Sequence, residues 1–203
     1  MDMTAQDRER ISAAIRAAEA KTSGEIICVL ARSSADAPAW PIFVAAVAAL
    51  ALPWVLVALT AMTVQGILSL QVLFFLALVV VLLVPAVRVA LMPRRARRAV
   101  AHRMAREQFL ARGITRKKDR SGILIFVSLA ERYARIIADD GIAARVPQSQ
   151  WQEAVDALIA HMRDGHIADG FIAAIEACSD RLAQHFPRTA ASRDELPDRI
   201  YVI

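Results

Sequence analysis

Residues 37–87 read APAWPIFVAAVAALALPWVLVALTAMTVQGILSLQVLFFLALVVVLLVPAV, without one Asp, Glu, Lys or Arg. All 25 basic and 20 acidic side chains of the 203-residue chain lie outside this stretch. Crossing the hydrocarbon core of a bilayer takes about 20 consecutive apolar residues. The stretch is therefore long enough for two spans, Trp40 to Thr63 and Ile67 to Leu91. Val64-Gln65-Gly66 reads as the turn between them, because Gln65 and Gly66 are the first polar and helix-weakening pair met. Pro53 and Pro85 fall inside the spans, where neighbouring groups can satisfy the freed carbonyls. Neither span carries the deep ionisable group that marks a transport pathway, so the hairpin reads as an anchor.

Composition agrees with a local excess of apolar residues. The chain is 57% apolar and still 22% charged, where an average soluble domain is about 45–50% apolar. That excludes a soluble single domain and a disordered chain. Charge is uneven outside the hairpin. Residues 1–36 carry five basic and six acidic groups, 88–120 carry twelve and two, and 121–203 carry eight and twelve. Arg94-Arg95-Ala96-Arg97-Arg98 follows the second span directly, and Arg88 can snorkel to the interface from its last turn. These five arginines, Arg88, Arg94, Arg95, Arg97 and Arg98, are read as membrane-interface residues. By the positive-inside rule they face the cytoplasm, and two spans return both termini to that side. No aromatics interleave with the arginines for base stacking, so nucleic acid is not the expected partner. No short apolar leader precedes residue 37. Arg outnumbers Lys 22 to 3, a bacterial bias. The expected location is a bacterial inner membrane, with the lipid bilayer as one partner.

The flanks read as one divided α/β domain. Residues 4–21 suit a helix, with Thr4 as N-cap and Ile11, Ile15 and Ala18 on one stripe. Thr22-Ser23-Gly24 stops it, and Glu25 to Leu30 reads as a strand. A lone strand needs partners, and these lie beyond the hairpin. Residues 94–112 suit a helix ended by Gly113; Gly122 to Ser128 is the continuous apolar run of a strand buried on both faces. Tyr133 to Ala138 follows as its antiparallel neighbour, and Asp139-Asp140-Gly141 as a turn. Two amphipathic helices come next: one carries Trp151, Val155, Leu158, Ile159 and Met162, the other Phe171, Ile172, Ile175, Cys178 and Leu182. The organisation expected is a helix and first strand in 1–36, the membrane hairpin in 37–92 (spans about 40–63 and 67–91), the rest of the α/β domain in 93–186, and a tail in 187–203.

Several runs in this order resemble the TPM domain family: Thr22-Ser23-Gly24-Glu25-Ile26, Gly113-Ile114-Thr115, and Asp119 through Ser128. To these add Glu131-Arg132, Asp140-Gly141-Ile142, Asp164-Gly165-His166 with Asp169-Gly170-Phe171, and Glu195-Leu196-Pro197-Asp198. The fold this implies is a small TPM-like α/β sandwich, here split by an inserted two-helix transmembrane hairpin. The resemblance also implies calcium as a cofactor and, for some members, acid phosphatase activity; other members are membrane-linked accessory proteins. Asp119, Asp139 and Asp140 gather at one end of the strand pair and are the candidate metal ligands. Calcium takes six to eight oxygens, which loop carboxylates, carbonyls and water can supply. Ordinary turn chemistry is the simpler reading of the same aspartates. Glu131 belongs to the opposite end and, with Arg132, reads as an exposed charged hairpin tip.

No catalytic constellation is apparent. Cys178 lies on an apolar stripe, so packing explains it. Cys28 and Cys178 have neither metal nor redox spacing. His161 and His166 do not share a helix face. The expected function is a non-catalytic accessory or interaction module with a membrane or cytoplasmic protein partner. The competing expectation is a metal-dependent, calcium-linked acid phosphatase.

Overall fold

The computed structural model describes residues 3–34, 39–84, 87, 90, 92–116, 120–188 and 196–203. Chain contacts divide it into two units, one of Met1–Ser34 with Ala99–Ile203, the other Ala35–Arg98.

The first unit is built on a four-stranded sheet. Its elements are α1 (Ala5–Glu19), β1 (Glu25–Ala31), β2 (Gly122–Ser128), β3 (Tyr133–Ala138), the four-residue α5 (Asp140–Ala143), α6 (Gln152–Arg163), α7 (Ile167–His185) and β4 (Ile200–Val202). The helix α4 (Arg94–Ala111) leads into it. Strand order is β3-β2-β1-β4. β1 pairs parallel with β2 from Glu25↔Gly122 to Ala31↔Ser128, and parallel with β4, while β3 runs antiparallel to β2. Parallel central strands need cover on both faces, and every residue of β1 and β2 is buried. Alternation divides them. Ile26, Cys28 and Leu30 with Ile123, Ile125 and Val127 join a core built with α1, α6 and α7. Ile27, Val29, Leu124 and Phe126 join Ala105 and Phe109 of α4 on the other face. Burying each large aliphatic or aromatic side chain contributes about 1.5–3 kcal/mol. Cys28 and Cys178 are both fully buried members of the first core, far apart in sequence and together in space.

Local signals explain the ends. Thr4 caps α1 through a reciprocal capping box with Asp7. Gly122 opens β2 where a Cβ would stand 2.3 Å from Ile114 Cγ2, so only glycine lets the short turn at Ile114–Arg116 lie against the strand. Asp139-Asp140-Gly141 is not a plain turn: Asp139 is the N-cap of α5. The final stretch, expected as a tail, ends in β4. Tyr201 there is held under the Arg112 guanidinium at 3.8 Å and the Arg199 guanidinium at 4.8 Å from the ring centre.

The second unit contains α2 (Ala39–Leu59) and α3 (Val64–Leu83), which pack side by side. The turn falls one step earlier than expected. Thr63 is the N-cap of α3 and accepts from the Gly66 N–H, so Val64-Gln65-Gly66 forms the first helical turn. A capping hydroxyl outweighs the modest helix penalty of one glycine. Pro53 lies within α2. Both helices are long and apolar enough to cross a membrane: Ile42–Leu59 has mean hydropathy 2.6 and Val64–Leu83 has 2.8, with 11% of each window buried.

Candidate functional site

Buried carboxyl groups sit at the two ends of the β2–β3 hairpin and at the junction of α1 with β1. At one end, Asp139 follows β3 and is 3% exposed. Its Oδ1 accepts the Asp140 backbone N–H at 2.8 Å and an Arg120 guanidinium N–H at 3.4 Å. Its Oδ2 is buried and has no hydrogen-bond partner among the described residues. Leaving such an oxygen unpaired costs about 1–3 kcal/mol. Arg120 takes a left-handed backbone (φ 49°), a costly conformation for a side-chain-bearing residue. Asp140 is exposed in the first turn of α5. Asp119, the third expected ligand, lies outside the described residues. Among the described residues, no group of three or more His, Cys, Asp or Glu side chains gathers closely enough to hold a metal ion. Asp139 offers one buried carboxylate oxygen without a hydrogen-bond partner among the described residues, and oxygen is the donor type that calcium or magnesium takes.

The other end contradicts the exposed-tip expectation. Glu131 is 5% exposed. The Ser33 hydroxyl donates to Oε1 at 3.0 Å, the Ser34 backbone N–H to Oε2 at 3.0 Å, and the Ser128 hydroxyl also to Oε2. Ser34 and Ser128 hydroxyls bond each other at 2.9 Å. The carboxylate thus ties the exit of β1 to the end of β2. Arg132 alone carries the exposed turn, with φ 50°. Nothing in the periodicity marks Glu131 as buried, since two of its three partners come from a segment about 97 residues away.

Glu19 is a third buried carboxyl that the sequence reading passed over. It is 4% exposed, and its Oε1 accepts the Ile26 N–H at 2.8 Å. Burial, followed by contact with the Asp198 carboxyl and proximity to Glu25, pushes its pKa up to about 8. A signal existed: position 19 is four residues beyond Ile15, on the same stripe as Ile11.

Burial pushes the Cys178 thiol up to about 12, and the Cys28 thiol well above its ordinary value, so both are inert core groups. His161 Nδ1 lies 3.0 Å from the Ala157 carbonyl of its own helix, while His166 is exposed beyond the Gly165 break. Arg94, Arg95 and Arg98 are exposed at the start of α4, with no acidic group in its first turn. Arg97 is half-buried, and its Nε has no partner among the described residues. Arg88 lies outside the described residues.

The sequence profile of the TPM domain matches residues 79–181. None of the curated proteins matches the chain. Among solved structures, the solution NMR structure of the BA42 protein from the psychrophilic bacterium Bizionia argentinensis has the same fold. It aligns with a TM-score of 0.63 at 20% identity, over 100% of this chain and 97% of the other. An α/β domain with this strand order and this match defines the class: the chain belongs to the TPM domain family.

Proposed function

We propose that this chain is a membrane-anchored TPM domain acting as a non-catalytic accessory module on the cytoplasmic face of a bacterial inner membrane, recognising a membrane or cytoplasmic protein. One observation carries the anchoring. α2 and α3 expose large apolar side chains along their length, Trp54 at 81% and Leu59 at 77% among them. Patches beyond a few hundred Å² are rare on soluble monomers, and lipid is the cover that two helices of this length suit. The exposed arginines opening α4 suit the cytoplasmic leaflet, where anionic lipid attracts each basic group by about 1 kcal/mol. The accessory role is favoured because the buried carboxyls Glu131 and Glu19 bond protein groups and the thiols are sealed in the core. Membrane-fraction protein that resists carbonate extraction, with a C-terminal reporter protected from external protease, is the expected result. Crosslinking should recover a partner with the intact chain and lose it when residues 37–92 are deleted. Unchanged recovery would remove the tether from the function.

The unpartnered Asp139 Oδ2 favours a second reading, a hard-cation site and with it metal-linked phosphatase chemistry. Asp139, Asp140 and Asp119 would hold the ion, calcium or magnesium, which when bound supplies a Lewis acid and an activated water. Asp139 would offer its free oxygen to the ion, while Arg120 holds Oδ1. Release of phosphate from an aryl phosphate, dependent on calcium or magnesium and lost in Asp139→Asn, is the outcome this reading requires.

A further inference from the structure

We propose that Gln71 marks the face through which two copies of this chain associate within the membrane, the inference resting on the reading that α2 and α3 are embedded. A crevice of about 570 Å³ opens between the two helices, with Ala46 and Ala49 of α2 facing Leu68, Gln71 and Phe75 of α3. Gln71 is the one polar side chain lining it. It stands seven residues beyond Val64, about 10 Å along the helix axis, whereas half the hydrocarbon core is about 15 Å thick. The amide is therefore deep in the apolar layer.

Two threonines at the hairpin turn are satisfied within the hairpin. Thr60 donates to the Leu56 carbonyl at 2.7 Å, and Thr63 caps α3. Gln71 has no hydrogen-bond partner among the described residues, and lipid tails offer none. An amide both donates and accepts, so it is its own complement. Two Gln71 side chains meeting across a two-fold axis satisfy one another, as an isologous contact requires. The small side chain of Ala46 leaves room at the crevice for a second helix to approach. Leu68 and Val72, 55% and 59% exposed, stand on the same helix beside it, ready to fill the crevice of the facing copy.

The test uses the full-length chain in phosphatidylcholine–phosphatidylglycerol vesicles at low protein density, with subunits counted by single-molecule photobleaching. Two-step bleaching is expected for the native chain, and Gln71→Leu should weaken dimerisation about 3- to 30-fold. A Gln71→Cys variant should cross-link under mild oxidation, whereas Leu73→Cys, on the opposite side of α3, should not. The native thiols, both fully buried, give no background. Monomers in the bilayer, dimers unaffected by Gln71→Leu, or cross-linking through Leu73→Cys each overturn the inference. Loss of the chain on carbonate extraction would overturn the embedding reading instead.

Discussion

Glu131 and Asp139 flank the same strand hairpin, both follow a β-strand, and both look in sequence like turn residues. Their environments are opposite. Glu131 accepts from two hydroxyls and a backbone N–H gathered from two segments, with donors on both of its oxygens. Asp139 has donors on one oxygen and none on the other among the described residues. A carboxylate with donors on both oxygens is a structural clasp. One with a buried free oxygen is a place where something else can bind.

That contrast can be broken or sharpened by experiment. Glu131→Ala should have the largest effect, about 3 kcal/mol of lost stability by chemical denaturation, because it removes three hydrogen bonds at a buried carboxylate and opens the β1 exit. A cost under 1 kcal/mol would make Glu131 no clasp at all. Next in size is cation linkage at the other end. If Asp139 holds calcium, saturation at a hundredfold excess over the dissociation constant adds about 2.7 kcal/mol to stability. Asp139→Asn with Asp140→Asn should abolish that gain while changing metal-free stability by less than about 1 kcal/mol. Loss of as much metal-free stability as in Glu131→Ala would erase the contrast.

Glu19 is an intermediate case, with one oxygen on the Ile26 N–H and a carboxyl neighbour in Asp198. Its folded pKa, near 8, is raised above the ordinary 4.5. The folded state therefore binds the extra proton, and this contribution is full below about pH 4.5. It declines as pH rises from there and is lost once pH passes about 8. Glu19→Gln should flatten that part of the stability–pH curve, read from melts at pH 4 to 9; an unchanged slope would put the titration elsewhere. The smallest effect is expected at the exposed N-cap, where Thr4→Ala should cost about 1 kcal/mol by denaturation.

Much of the architecture was legible without coordinates. The charge-free stretch named the hairpin, and the unbroken apolar run from Ile123 to Val127 named a central strand, because burial on both faces removes alternation. Thr4 and Gly113 named the ends of two helices through capping and a left-handed residue. β4 was not legible: three residues carry no periodicity, and what makes them a strand is β1, more than 160 residues earlier. The turn at Thr63 was misplaced because a side-chain cap competes with glycine, and sequence alone does not rank them.

The candidate site divides along the same line. Sequence put Asp139 and Asp140 at one end of the strand pair, since antiparallel connectivity alone separates them from Glu131. It could not tell a satisfied carboxylate from an orphaned one, nor bring Ser33 and Ser34 to Glu131, nor find Asp198 beside Glu19. Local order determines hydrophobic period, caps and span length, all properties of neighbours along the chain. Which buried polar atom meets a partner depends on segments that approach only when the sheet closes, and only the tertiary structure decided that.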